Sequence, residues 1–271
     1  MTLSGIGPVV LVGAGKMGMA LARGWLKAGL APDELVLIDP NPADATREFA
    51  EEKGVRLLTS PAGILVHVLV LAVKPQIMAK VLEQVRPSVG MHTLVISIAA
   101  GINLSAIARG LGTERVIRTM PNTPAQIGKG VTGAVPLKVS EDDKALTDAL
   151  MRAAGEVMWF EVEAKLDAVT AVSGSGPAYV FHMVEALAEA AKRQGFSEDQ
   201  AMVLARATVI GAAGLLESEG VSATVLRQNV TSPNGTTQAA LDVLMSDEGL
   251  VRLMDRTVAA ARKRSEELGR E

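Results

Sequence analysis

Three glycines near the start of the chain have the spacing of a phosphate-binding turn. Gly13, Gly15 and Gly18 form the pattern G-x-G-x-x-G, which follows the apolar run VVLV and opens a stretch with helical periodicity. In such a turn the first glycine makes the bend, the second lets the backbone approach a pyrophosphate, and the third lets the helix pack closely on the sheet. We therefore predict a dinucleotide site built by Gly13, Ala14, Gly15, Lys16, Met17 and Gly18.

An acidic residue and two strand ends complete the expected cofactor site. Asp39 closes the run ELVLID, near the spacing at which a carboxylate hydrogen-bonds the adenosine ribose and repels a 2′-phosphate, so it favours NADH. Arg47, one or two helical turns later, could offset a phosphate and keeps NADPH open. The runs LAVKP and SIAAG end two further strands, and their small side chains would let a flat nicotinamide lie close. The cofactor contacts expected here are Asp39, Pro40, Val73, Lys74, Ala99 and Ala100.

A second candidate site lies late in the chain. The segment SPNGTT, Ser232 to Thr237, interrupts helical patterns rich in Ala, Leu and Val, which resume with AALDVLM. A Pro-Asn-Gly turn that feeds a helix leaves several backbone N–H groups without partners, and together with the helix dipole they can hold an anion such as a carboxylate. The alternative is a capped turn between two helices, and the segment alone does not decide between them.

Composition excludes several classes of function. The net charge of −3 and the pI near 5.8 give no basic field, so nucleic acid is not an expected partner. The chain has no Cys, and its three His are scattered without metal-ligand spacing, so neither thiolate chemistry nor a metal is expected. The start lacks a basic segment and a cleavage site, and the longest uncharged stretch, Ala168 to Val184, is too short to cross a bilayer. We expect a cytoplasmic protein without membrane contact.

The elements that position these residues fall into two halves. Up to about Glu163, short apolar runs alternate with helical patterns, which predicts an α/β domain with a parallel, doubly wound sheet over residues 1–164. Besides the runs already named, strands are predicted within GILVHVLVLAV, Gly63 to Val73, and at RVIRTMP and KGVTGAVPL. Afterwards the strand signals stop, one helix begins near Pro177, and Ser197 with Gln200 forms a capping box for the next. We predict an all-helical domain over residues 165–271. Because the chain is 48% hydrophobic with a mean hydropathy of +0.27, we also expect a buried subunit interface.

Six motifs in a fixed order resemble one known family. GAGKMG, LAVKPQ, SIAAGI, RTMPNTPAQIGKG, LDAVTAVSGSGPAYVF and SPNGTTQAAL together resemble the pyrroline-5-carboxylate reductases, and the resemblance covers nearly the whole chain. It implies an N-terminal Rossmann doubly wound sheet followed by an all-α C-terminal dimerisation domain, in a homodimer or a ring of dimers. The implied reaction is hydride transfer from NADPH or NADH to the C=N carbon of Δ1-pyrroline-5-carboxylate, which gives L-proline in the last step of its biosynthesis.

The resemblance also implies roles for individual residues. Thr237 would hydrogen-bond the ring nitrogen of the substrate and is the candidate proton donor. Glu163 would lie at the substrate pocket, and Asn229 would help to hold the cofactor. The substrate would lie between the Rossmann domain of one subunit and the helical domain of a partner subunit, and its carboxylate would meet the loop residues Ser232, Asn234, Gly235, Thr236 and Thr237.

Three positions depart from the commoner pattern of that family. Lys16 and Asn234 stand where members often have Asn and Gly, and Asn readily takes a left-handed conformation. Asp39 stands where a neutral residue often meets the 2′-phosphate, which again favours NADH over NADPH.

Two other functions are weighed against this one. Hydroxyacid dehydrogenases of similar two-domain design carry a catalytic lysine a turn after a comparable glycine motif, whereas Val180 and Phe181 stand in that place here. A nucleotide-sensing protein without turnover would explain the glycine turn but not a carboxylate-binding loop. Reduction of an imine does not require a strong catalytic acid, because the protonated iminium is already electrophilic. The protein needs to provide only orientation, a dry pocket and complementary charge.

Overall fold

Eight strands form one sheet in the part of the chain that the structure describes. The structure is a computed structural model, and it describes residues 3–61, 64 and 66–269. In the sheet the order is β3-β2-β1-β4-β5-β6-β7-β8, and the described pairs are parallel except β6 with β7. The order reverses beside β1, and in open α/β sheets ligands bind at the carboxyl ends of the strands around such a point. The strands are β1 (Val9–Val12), β2 (Leu35–Ile38), β3 (Arg56–Leu58), β4 (Val68–Leu71), β5 (Leu94–Ser97), β6 (Val116–Met120), β7 (Gly130–Pro136) and β8 (Gly155–Trp159).

Helices cover both faces of this sheet, which confirms the predicted fold class. Val9 belongs to the core that contains Trp25, whereas its neighbour Val10 belongs to the core that contains Ile107. The strands β1, β2 and β4 are apolar and buried at every position, because both faces of the sheet are covered there, and they therefore read as continuous hydrophobic runs. The helices of this part are α1 (Lys16–Lys27), α2 (Asp44–Lys53), α3 (Met78–Val85), α4 (Leu104–Leu111), α5 (Glu141–Arg152) and α6 (Lys165–Val169).

The second compact unit, Gly176–Ala260, is helical. Its second helix begins with the predicted capping box, in which Ser197 and Gln200 exchange hydrogen bonds. The first two helices pack through Ala188, Ala201 and Ala205, whose small side chains allow close approach. The unit contains α7 (Gly176–Arg193), α8 (Glu198–Ser218), α9 (Ala223–Asn229), α10 (Thr236–Leu244) and the first part of α11 (Leu250–Leu268).

Many large apolar side chains of this helical unit are exposed. Phe181 is 65% exposed, and Val203 and Ile210 are each 66% exposed. Within the described residues, α8 is the one helix long and apolar enough to cross a membrane, and 11% of that span is buried. An apolar surface of this extent is typical of a face that another subunit covers.

The first unit extends further along the chain than the boundary expected between residues 164 and 165. It runs to Ser175 and also takes in the residues from Ala261 onward. Leu166 of α6 is fully buried in a core of the sheet, and the Ser265 hydroxyl donates a 2.7 Å hydrogen bond to Asp167. The change from strand to helix periodicity therefore marks where the element type changes, whereas packing decides which core an element joins.

Two strands have no counterpart in the sequence analysis. These are β3 and β8, which form the two edges of the sheet and are only partly buried, so neither is a continuous apolar run. The predicted strand within Gly63–Val73 is β4, although Gly63 and Leu65 themselves lie outside the described residues.

Candidate functional site

Each glycine of the turn between β1 and α1 meets a different requirement. Gly13 has a φ of +98°, and a Cβ there would lie 2.6 Å from the carbonyl oxygen of Ala72. A Cβ on Gly18 would lie 2.2 Å from the carbonyl oxygen of Gly13, so Gly18 allows α1 to approach the turn. A Cβ on Gly15 would meet nothing within 4 Å. Packing therefore requires the two outer glycines, whereas the middle one faces open space.

The open space beside Gly15 is suited to an anion. Gly15 is the N-cap of α1 and has no side chain that could accept hydrogen bonds from the first turn. The N–H groups of that turn and the helix dipole therefore favour negative charge, such as the pyrophosphate of a dinucleotide. Lys16, the first residue of the helix, is exposed next to this space. These residues fit a bound dinucleotide.

The Asp39 carboxylate is held at the end of β2 by two backbone groups. One oxygen accepts a hydrogen bond from the N–H of Ala14 and the other from the N–H of Asn41, both at 2.9 Å. The carboxylate is therefore fixed against the glycine turn, with Pro40 following on the exposed side. Arg47 is exposed, and its Nε lies 3.8 Å from Asp44.

A cleft of about 380 Å³ lies where the carboxyl ends of β1, β4, β5 and β6 meet. Of the predicted cofactor residues, Gly15, Lys16, Met17, Val73, Lys74, Ala99 and Ala100 line it. The turn beside the cleft is formed by Gly13, Ala14 and Gly18. The turn and the lining residues are close together because parallel strands bring their carboxyl ends to the same side of the sheet. The structure thus brings together predicted cofactor residues that are spread from Gly13 to Ala100 in the sequence.

The same cleft contains residues to which the sequence analysis gave no role. They are Ala72 and Ile98, which follow β4 and β5, Met120, which ends β6, Pro121, Asn122 and Thr123, which come directly after it, and Gly174. Their position at the carboxyl end of a strand is the signal that could have identified them, because it is the rule that pointed to Lys74. Asn122 is 8% exposed, and both ends of its amide are hydrogen-bonded.

Glu163 lies in a different cavity, of about 440 Å³, which shares no lining residue with the cleft. Its Oε1 accepts hydrogen bonds from Arg118 at 2.7 Å and from the N–H of Leu104, the first residue of α4, at 2.8 Å. The side chain of Arg118 is only 8% exposed, so it needs a charged partner, and Glu163 provides one. Among the described residues no cluster of His, Cys, Asp or Glu could hold a metal ion.

The segment before α10 forms the turn that its sequence predicts. Asn234 has a φ of 57°, and the N–H of Gly235 donates a 3.0 Å hydrogen bond to the carbonyl of Ser232. Gly235 is the N-cap of α10 and provides no side-chain cap, so the first-turn N–H groups remain available to an anion. Thr237 is half-buried in that first turn, whereas Asn229 is exposed at the end of α9.

Two family models match this chain. The model described as pyrroline-5-carboxylate reductase dimerisation matches residues 163–268, and the model described as NADP oxidoreductase, coenzyme F420-dependent, matches residues 8–101. A pyrroline-5-carboxylate reductase of Pseudomonas aeruginosa is 37% identical over 264 residues, 96% of each chain. One of Arabidopsis thaliana is 35% identical over 263 residues, which cover 96% of this chain and 95% of that protein.

Solved structures of such reductases also resemble the whole chain. The one from Coxiella burnetii superposes with a TM-score of 0.90 at 36% identity, covering 97% of this chain and 98% of its own. The one from Plasmodium falciparum, which was solved with NADP bound, has a TM-score of 0.80 at 28% identity and the same coverage.

Proposed function

Since this chain belongs to the pyrroline-5-carboxylate reductase family and reduces Δ1-pyrroline-5-carboxylate to L-proline, we propose how its residues share that reaction. A pyridine nucleotide is the cofactor, and the C-terminal region is a dimerisation domain. The proposal assigns the cofactor to the cleft at the carboxyl ends of the strands and the substrate carboxylate to the turn before α10. The observation that carries it is the open space beside Gly15, which opens into the cleft lined by Ala99 and Ala100.

In this proposal the cofactor lies across the carboxyl ends of the strands. The N-terminus of α1 binds the pyrophosphate, and the backbone at Ala99 and Ala100 faces the nicotinamide, which supplies the hydride. Asp39 binds the adenosine ribose and makes NADH the preferred form, because a fixed carboxylate repels a 2′-phosphate. Two backbone hydrogen bonds support this part of the proposal, since they prevent the carboxylate from swinging away.

The substrate carboxylate binds the turn Ser232–Thr237 in the proposal. The free N–H groups at the start of α10 are its hydrogen-bond donors, and the left-handed Asn234 sets the direction of the turn. Asn229 contributes to the cofactor site. The family resemblance assigns Glu163 to the substrate pocket; in this chain its carboxylate pairs with Arg118 in a polar cavity beside the cofactor cleft's β6 strand.

The chemistry needs no strong acid. The protonated imine carries a positive charge that hydride addition removes, so the protein has to orient the ring, exclude water and hold the substrate carboxylate. The Thr237 hydroxyl hydrogen-bonds the ring nitrogen and, before hydride addition, passes it the proton from water that converts the neutral imine to the iminium. Val180 and Phe181 occupy the place of the lysine that hydroxyacid dehydrogenases require, which supports imine rather than alcohol chemistry.

Self-association completes the proposed assembly. The exposed apolar side chains of the helical unit, with α8 among them, are buried by a second copy of the chain, in a homodimer or a ring of dimers. The enzyme works in the cytoplasm.

The test is steady-state oxidation of NADH and NADPH, in parallel, with pyrroline-5-carboxylate as substrate. Wild type is compared with Thr237→Ala and with the matched control Thr237→Ser, which keeps a hydroxyl. We expect kcat to fall by about a hundredfold in Thr237→Ala and by much less in Thr237→Ser, on the scale of a lost proton donor. Equal activity of all three proteins would remove Thr237 from the mechanism.

A further inference from the structure

Asn122 is a buried amide at the point where β6 leaves the sheet. β6 pairs with β7 in a register that sets Met120 opposite Gly133, so the next pair of the same kind would set residue 122 opposite Val131. The main chain turns away instead into a short 3₁₀ helix, Thr123–Ile127. The side-chain Oδ1 of Asn122 accepts a 2.8 Å hydrogen bond from the N–H of Val131. The side-chain amide therefore replaces the backbone hydrogen bond that β6 would make to β7 if the strand continued.

The other end of the amide meets an unusual helical turn. Residues Thr170–Gly174 are π-helical, and the N–H of Ser175 donates to the carbonyl of Thr170 at 2.8 Å. In an α-helix the Ser173 carbonyl would accept the N–H of residue 177, but residue 177 is a proline and has none. Asn122 Nδ2 donates to that carbonyl at 3.0 Å. The side chain thus supplies the donor that the sequence of the helix lacks.

This π-helical turn forms part of the wall of the dinucleotide cleft. Gly174 lines the cleft together with Met120, Ala99 and Ala100. A Cβ on Gly174 would lie 3.2 Å from Cε of Met120, so the wall is closely packed at this point. A displacement of the turn would change the shape of the cleft that Ala99 and Ala100 also line.

We propose that Asn122 is a positioning residue for the nicotinamide end of the cleft. By holding the Ser173 carbonyl, it fixes the π-helical turn so that Gly174 and the two alanines leave a slot for a flat ring. It acts through the backbone of the turn and takes no part in the chemistry. This inference rests on the cofactor placement proposed above. A side chain that only stabilised the fold would affect both halves of the dinucleotide alike.

The test uses Asn122→Asp in the full-length enzyme. The aspartate has the same shape and keeps an acceptor for Val131, but it places an oxygen where Nδ2 now donates to Ser173. Thr93→Val is the matched control, because Thr93 is 1% exposed, its hydroxyl donates to the Val66 carbonyl at 2.8 Å, and it precedes β5 at the opposite end of the strand. The measurements are kcat and KM for the reduced dinucleotide, and the inhibition constant of ADP-ribose, which lacks the nicotinamide.

We expect kcat/KM for the dinucleotide to fall about tenfold in Asn122→Asp, the scale of one lost buried hydrogen bond. The inhibition constant of ADP-ribose should stay within about twofold, and Thr93→Val should change neither quantity. Gly174→Ala, which narrows the same wall without touching Asn122, should reproduce the pattern.

Three results would overturn the inference. Unchanged kcat/KM in Asn122→Asp would show that the turn does not depend on the amide. An equal loss for the dinucleotide and for ADP-ribose would show a general structural role. If ADP-ribose does not compete with the dinucleotide in wild type, the cofactor placement itself fails, and this inference fails with it. Should Asn122→Asp not fold, Asn122→Ser is measured in its place with the same criteria.

Discussion

Alanine substitutions at Gly15 and at Gly18 should impair different properties of the protein, although the two residues are only three positions apart. A methyl group on Gly18 would lie 2.2 Å from the carbonyl oxygen of Gly13, a distance that forces α1 away from the turn. A methyl group on Gly15 would meet nothing within 4 Å and would project into the space proposed for the pyrophosphate. Gly18→Ala should therefore destabilise the fold, and Gly15→Ala should weaken binding of the dinucleotide.

The magnitudes follow from these distances. Overpacking costs about 1–3 kcal/mol, and the gain in helix propensity from Gly to Ala, about 1 kcal/mol, offsets only part of a backbone clash this short, so Gly18→Ala should lose about 2 kcal/mol of unfolding free energy. Gly15→Ala should stay within about 0.5 kcal/mol of wild type, because a poorer N-cap is balanced by a stiffer unfolded chain. Its methyl group should weaken dinucleotide binding by about 1–3 kcal/mol, or roughly tenfold to a hundredfold.

Urea unfolding followed by circular dichroism measures the free energy of unfolding, and titration of NADH fluorescence measures the affinity for the dinucleotide. Gly90→Ala is the control, since its nearest neighbour would be the Thr93 hydroxyl at 3.9 Å, and it should leave both quantities unchanged. Normal NADH binding by Gly15→Ala would refute the placement of the pyrophosphate. A loss of stability in Gly15→Ala as large as that in Gly18→Ala would refute the assignment of the middle glycine to open space.

Three further substitutions test charges at other positions. Asp39→Asn should raise the ratio of kcat/KM for NADPH to that for NADH about tenfold, because it removes a half-buried charge worth about 1–2 kcal/mol against a 2′-phosphate; an unchanged ratio would count against the proposed NADH preference. Burial opposes ionisation of Asp143, yet hydrogen bonds from Arg115 and others hold the pKa of its carboxyl below the ordinary value. Because the folded pKa is lowered, this stabilisation is present above about pH 4 and is lost as the pH falls through the folded pKa. Asp143→Asn should thus be about 2 kcal/mol less stable than wild type to urea at pH 7, and the difference should narrow as the pH falls below about 4; a difference that does not depend on pH would contradict this. Glu163→Gln should lower the free energy of unfolding, measured with urea, by about 2 kcal/mol, because it leaves the buried Arg118 without a countercharge. Wild-type stability of this variant would show that the pair is dispensable.

The features predicted correctly from the sequence depend on neighbours along the chain. The glycine turn, the capping box of Ser197 with Gln200 and the left-handed Asn234 are set by what a few consecutive residues allow. The central strands were recognisable because burial on both faces makes them continuously apolar. The edge strands β3 and β8 lack this property, and so they left no signal.

The features that the sequence analysis missed join residues that are far apart. Asn122 and Ser173 are 51 positions apart, and Glu163 reaches Arg118 over 45 positions and Leu104 over 59. These bonds depend on which strands are neighbours, on the antiparallel register of β6 with β7, and on α6 packing on the sheet after the strand pattern has ended.

The sequence by itself determined most of the helices and strands, the glycine turn between β1 and α1 and the turn before α10, because backbone conformation and helix ends are local properties. Only the tertiary structure decided that Glu163 neutralises a buried arginine and that Asn122 holds the carbonyl of Ser173. The physical reason is that a side-chain hydrogen bond requires its partner within about 3 Å, and chain folding, rather than sequence spacing, brings such partners together.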